Sequence, residues 1–194
     1  MTSIKKFSYD TLLIVAAVCL IAGFVGGVAY GIYYASSSMP PLEATTEQPS
    51  QKLAAEIAAL LEFTQNHPES ADGWIRLGNH YFDAGRFKEA IEAYQKALAL
   101  DSTNTDVWTD LGVMYRRVGQ PEKAVEAFDK AIAADPSHEI ARFNKGIVLM
   151  HDLDEVDAAL ESWRKLLQIN PDATAPNGLS VRELIRQVEN RPAG

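Results

Sequence analysis

Four imidazoles, one thiol and a surplus of carboxylates are the groups in this chain that could do chemistry. They are His67, His80, His138, His151 and Cys19, in 194 residues that carry a net charge of −8. A metal centre needs His or Cys ligands at short fixed spacing, and these histidines are dispersed while Cys19 stands alone. One cysteine also excludes an internal disulfide framework. No glycine-rich phosphate loop and no nucleophile elbow is present. The acidic balance, with no basic stripe to neutralise phosphates, argues against a nucleic-acid partner. The sequence therefore predicts a non-enzymatic protein with no catalytic residues, no metal and no cofactor. What remains is a surface, and the elements that carry it decide its shape.

Those elements are written twice between Ala71 and Pro136. Trp74, Leu77, Gly78, Tyr81, Ala90, Tyr94 and Ala97 recur 34 residues later as Trp108, Leu111, Gly112, Tyr115, Ala124, Phe128 and Ala131. The first four positions of each set fall at i, i+3, i+4 and i+7, one face of a helix. Glycine inside a helix costs about 1 kcal/mol relative to alanine, so Gly78 and Gly112 imply close approach of a partner helix. Gly85 and Gly119 end the first helix of each unit with a left-handed residue. The alanines of the second helix let it lie close.

This 34-residue unit, with its Trp-x-x-Leu-Gly-x-x-Tyr opening, resembles the tetratricopeptide repeat (TPR), and the resemblance implies an all-α helix–turn–helix solenoid. A third, degenerate unit follows: Gly146 keeps the 34-residue offset, Arg142 replaces the tryptophan and Leu149 the tyrosine. Its turn, His151 to Glu155, has no glycine and one extra residue, after which Ala159, Trp163, Leu166 and Pro171 fall into register. Gln51–Asn66 takes the place of the second helix of a preceding, incomplete unit and caps that end. At the other end Ser180 and Glu183 form a capping box, with Leu179 and Leu184 as a staple. Val181, Leu184, Ile185 and Val188 give the last helix its apolar face.

The resemblance also implies a concave groove lined by the second, fifth, ninth, twelfth and thirteenth positions of each repeat. These are Asp72, Ile75, Asn79, Phe82 and Asp83; Asp106, Thr109, Val113, Arg116 and Arg117; and Ile140, Phe143, Ile147, Met150 and His151. The candidate partner-binding residues are Ile75, Asn79, Phe82, Thr109, Val113, Arg116, Arg117, Phe143, Ile147 and Met150. Among them Phe143, Ile147 and Met150 make an apolar stripe beside the paired arginines. Either a partner covers that stripe or the terminal helix folds back on it. The family's clamp for a peptide C-terminal carboxylate uses Lys and Asn at defined positions. Only Asn79 matches, with Ile75 where the Lys belongs, so recognition of cytosolic chaperone tails is not expected.

Thr11 to Tyr34 is a run of 24 residues without a charge. As a helix it would extend about 36 Å against about 30 Å of hydrocarbon, enough to span a bilayer with some tilt. Lys5 and Lys6 precede it and no Lys or Arg follows until Lys52, which places the N-terminus in the cytoplasm and the repeats outside. A cleaved signal peptide ending near Ala35-Ser36-Ser37 is the alternative, but the apolar stretch is longer than such peptides use. Val18 is too bulky for Cys19 to be a lipidation site. Gly23, Gly27 and Gly31 share one face at spacing four, a route to a homodimer.

The expected organisation is a cytoplasmic N-terminus over 1–10, a transmembrane helix over 11–34 and a Pro-rich linker over 35–50. A capping helix over 51–70 then leads into repeats at 71–104, 105–138 and 139–173, with a capping helix and tail over 174–194. Such a chain reads as a protein- or peptide-binding scaffold at the outer side of a bacterial-type cytoplasmic (inner) membrane. The repeat opening from Asn66 to Gly78 is also similar to bacterial cytochrome c maturation TPR proteins, which implies holding an apocytochrome. Self-assembly as a structural membrane protein is the third reading.

Overall fold

Each second helix of the array lies against a glycine of its first helix, and that contact organises the fold. The computed structural model describes residues 49–190. Among them are eight helices: α1 (Pro49–Asn66), α2 (Ala71–Asp83), α3 (Phe87–Leu100), α4 (Thr105–Arg117), α5 (Pro121–Ala134), α6 (Glu139–His151), α7 (Val156–Ile169) and α8 (Val181–Glu189). The pairs α2/α3, α4/α5 and α6/α7 stack in order, α1 packs on α2, and α8 packs on α7. A methyl on Gly78 would come within 2.5 Å of the Tyr94 ring, and one on Gly112 within 2.5 Å of the Phe128 ring. On Gly146 it would collide with the Trp163 indole. The close approach expected from helical glycine is therefore made, by one large aromatic ring per pair.

The elements start and stop for local reasons. The Ser70 hydroxyl and the Asn104 side-chain oxygen accept from the amides of Gly73 and Val107, each at 3.1 Å, capping α2 and α4. Between repeats, the Thr103 hydroxyl and amide donate to Asp101 and hold its carboxyl below the usual range; Ser137 does the same for Asp135. Gly85 and Gly119 take φ of 70° and 73° at the turns inside the first two pairs. In the third pair Asp154 adopts φ of 57°, and Glu155 N–H then donates to the Leu149 carbonyl at 2.7 Å. Aspartate is among the few non-glycine residues that tolerate this region, so the turn needs no glycine.

Trp74 and Trp108 are half-buried and bonded as well as packed. Their indole N–H groups donate to the carbonyls of Pro68 and Ser102, each at 2.9 Å and six residues upstream. Arg142, in the third repeat, donates to the carbonyl of Pro136 at 2.8 Å. The guanidinium thus replaces the indole in the same bond. At the C-terminal end Ser180 caps α8 through the Glu183 amide, while the Glu183 carboxylate pairs with Arg186 and does not reach back. Val181 and Ile185 are buried in the cluster that holds Trp163 and Leu166.

No helix among the described residues is long and apolar enough to cross a membrane. The span expected at Thr11–Tyr34, with Cys19 and the Gly23, Gly27, Gly31 face, lies outside the described residues.

Candidate functional site

The first helices carry the groove positions, and the structure sorts the candidates into four groups. At the upstream end Ile75 is half-buried against the core, while Asn79 is exposed and accepts from the Tyr94 hydroxyl at 2.7 Å. Phe82 is exposed, its ring 6.2 Å from that of Phe87. In the centre Thr109 is buried: its hydroxyl donates to the Thr105 carbonyl at 2.9 Å and lies 2.9 Å from His138 Nε2. That hydroxyl is fully engaged in tying α4 to the N-cap residue of α6 and cannot serve a partner.

Downstream, Val113, Arg116 and Arg117 do come together. With Asn144 of α6, Phe128 and Asp152 they line a cleft of about 490 Å³ between α4 and α6. Arg116 is committed there, its guanidinium ion-paired with Asp152 in the turn after α6. Arg117 forms no ion pair among the described residues. The cleft therefore offers one uncommitted guanidinium, one amide and an apolar patch at Val113.

The apolar stripe is corrected. Met150 is only 8 % exposed, and Phe143 and Ile147 are half-buried against the cluster that contains Trp163, Val181 and Ile185. The Phe143 and Trp163 rings lie 6.4 Å apart. Met150 has joined the core, and Phe143 and Ile147 are partly covered, because the connector and α8 pack onto this end of the third repeat. Of that helix's apolar groove positions only Ile140 stays open, at 61 % exposure.

Sequence reasoning missed Asp110 and Asn144. Both sit 34 residues on from a polar predecessor, in the series Arg76, Asp110, Asn144, and that period is the signal that could have found them. Asp110 is exposed by its surface area, yet the protein around its carboxyl removes part of its hydration. Burial, with Asp106 adding and His138 opposing, pushes its carboxyl up to about 6. The Tyr94 hydroxyl is raised for the same reason, with Asp110 and Asp83 contributing. The groove is thus acidic across repeats one and two and turns cationic at Arg117. Among the described residues no group of His, Cys, Asp and Glu has the arrangement of a metal site.

Family models identify TPR repeats over residues 78–119 and a tetratricopeptide repeat over 105–138. Tetratricopeptide repeats are therefore present in this chain. No curated protein sequence matches it. Among solved structures, a crystal structure of MamA is similar with a TM-score of 0.60 and 24% identity, over 69% of this chain and 77% of that one. The first TPR of Spaghetti (RPAP3), bound to the HSP90 peptide SRMEEVD, gives 0.55 and 23% over 61% and 90%. The second TPR domain of human RPAP3, in complex with the HSP70 peptide SGPTIEEVD, gives 0.56 and 21% over 64% and 98%. At these identities the likeness is one of fold. TPR domains commonly mediate protein–protein interaction, and the last two neighbours are solved with peptides.

Proposed function

We propose that this chain is a non-enzymatic interaction scaffold: a TPR domain tethered by residues 11–34 to the outer side of a bacterial-type cytoplasmic membrane, holding a partner segment in its concave groove. The observation that carries the groove reading is the cleft between α4 and α6. Arg116 is neutralised by Asp152 there while Arg117, beside Asn144 and Val113, has no ion pair among the described residues. A carboxylate of the partner meets Arg117, where a planar guanidinium grips it with two parallel bonds. The apolar contact is Val113 rather than the third-repeat stripe, which packs against the chain's own C-terminal core cluster. Tethering is supported by the uncharged run Thr11–Tyr34 and the lysines that precede it.

The test is crosslinked capture of partners from membranes, comparing the wild-type chain with Arg117→Ala and Arg116→Ala. A hydrogen bond to a charged group is worth about 1.5–3 kcal/mol, so Arg117→Ala lowers capture by about tenfold or more with an unchanged Tm. Arg116→Ala, which frees Asp152 to compete for Arg117, also weakens it. The peptide SRMEEVD serves as the negative control, since Ile75 stands where its clamp needs a lysine. Unchanged capture by a folded Arg117→Ala protein would overturn the groove assignment.

A further inference from the structure

At its N-terminal end the array keeps a complete seat for a helix that its own repeats show how to fill. Helices α1 and α3 end 34 residues apart, at Asn66 and Leu100, so they share one register. Ala90, Ala93, Tyr94 and Ala97 of α3 are buried at 0–3 % exposure beneath α2. Their counterparts on α1 are Glu56, Ala59, Leu60 and Phe63. Leu60 is buried, but Ala59 is exposed, Phe63 is 41 % exposed, and the Glu56 side chain is 42 % exposed. The adjoining wall repeats the pattern. His80 of α2 corresponds to Met114 and Val148, which are 2 % and 0 % exposed, whereas the His80 side chain is 27 % exposed and its Nδ1 is a buried atom with no hydrogen-bond partner. Glu56, Ala59, Leu60, Phe63, Arg76 and His80 together line a cleft of about 310 Å³.

We infer that this seat docks an amphipathic helix of a partner protein, bearing a small residue over Leu60 and a carboxylate toward Arg76. The seat repeats on α1 the interface already made within each pair, and this sets the form of the occupant. The three first helices, α2, α4 and α6, are each 13 residues long, and α2, α4 and α6 lay a glycine on a large side chain of the second helix. Charge complementarity sets its polarity. Arg76 is exposed and makes no ion pair among the described residues, while Glu56 lies 3.8 Å from His80 and faces its own neighbour. An acidic flank on the incoming helix satisfies the guanidinium, whereas a basic one would leave two cations side by side. This surface is separate from the groove at Arg117, so the chain can hold two partners at once.

The experiment uses the full chain in detergent micelles and a fluorescent, hydrocarbon-stapled helix with the α2 sequence, Ala71–Asp83, which carries a net negative charge. Saturable binding is expected. Ala59→Trp, a change at an exposed position that fills the cleft, should weaken binding about tenfold or more while leaving Tm unchanged. Arg76→Glu should weaken it less and flatten its salt dependence. Leucine at the probe's Gly78 position should abolish binding, and Arg117→Ala in the protein should leave it untouched, which separates this seat from the groove. Absence of saturable binding, or binding indifferent to Ala59→Trp, overturns the inference. A photocrosslinker at position 59 in the full chain then reports the occupant in membranes. Adducts only to this chain's own residues, or to a second copy, overturn the assignment to a partner protein.

Discussion

Gly112→Ala sets two known effects against each other, and the structure decides between them. Replacing a helical glycine by alanine gains about 1 kcal/mol of helix stability if the methyl finds room. At Gly112 the added carbon would sit 2.5 Å from Phe128 Cε1 and 2.8 Å from two further ring atoms. Carbon atoms settle about 3.5–4 Å apart, so the ring must give by about 1 Å. Phe128 is 0 % exposed and lies among Ala124, Ala131, Ala141 and Val148, so it has nowhere to go. Overpacking of a tight core costs about 1–3 kcal/mol. The net result is a loss of about 1 kcal/mol for Gly112→Ala and of several for Gly112→Leu. Phe128→Leu removes the ring edge, so in that background the alanine should turn from harmful to helpful, with a coupling of about 1–2 kcal/mol. Urea unfolding followed by far-UV circular dichroism measures each corner as a shift in midpoint at constant slope. If Gly112→Ala alone came out more stable by the whole propensity gain, the claim that the ring sets this glycine would be refuted.

Three further outcomes are expected. The Asp110 carboxyl is raised in the folded state above its usual value, so its contribution is present below about pH 4 and lost as the pH climbs through about 6. Asp110→Asn should therefore raise Tm at pH 7 and leave it unchanged at pH 4, and the reverse pattern would show that the carboxylate is favourably placed. Arg142→Trp should keep stability within about 0.5 kcal/mol because an indole makes the same bond to Pro136, whereas Arg142→Leu should cost about 1 kcal/mol, both read by urea titration. A compartment-sensitive reporter fused after Gly194 should be active only outside the cytoplasm, given the lysines before Thr11, and a cytoplasmic signal would reverse the topology.

What could be read from the sequence was whatever repeats. The helix pairs follow from Trp, Leu, Gly and Tyr at one face and one period, because a stacked array imposes the same packing problem on every unit. The Asp154 turn was not readable, since aspartate adopts φ of 57° there while far more often lying at negative φ, so its presence does not mark a left-handed residue as glycine does. The groove was legible as a set of positions but not as a chemistry. Arg116 finds Asp152 across 36 residues, Thr109 finds His138 across 29, and neither pairing has a local signature. The stripe of Phe143, Ile147 and Met150 misled for a related reason. Apolar residues at groove positions look alike whether a partner or the chain itself covers them, and only the course of the connector to α8 distinguishes the two.

The short reach of these bonds has a kinetic consequence. Among the described residues no side-chain hydrogen bond joins groups more than 36 residues apart, the span from Arg116 to Asp152. Closing such loops is fast, and proteins dominated by near-neighbour contacts cross low barriers. Any of the three pairs can act as the nucleus, with the others adding on either side as in a one-dimensional array. Opening follows the same logic in reverse. α8 or α1 can detach while the central pairs hold, so amide exchange should show protection graded from the middle outward rather than one common rate. Pulled from its N-terminal end, as a tether to a membrane would do, such an array yields pair by pair.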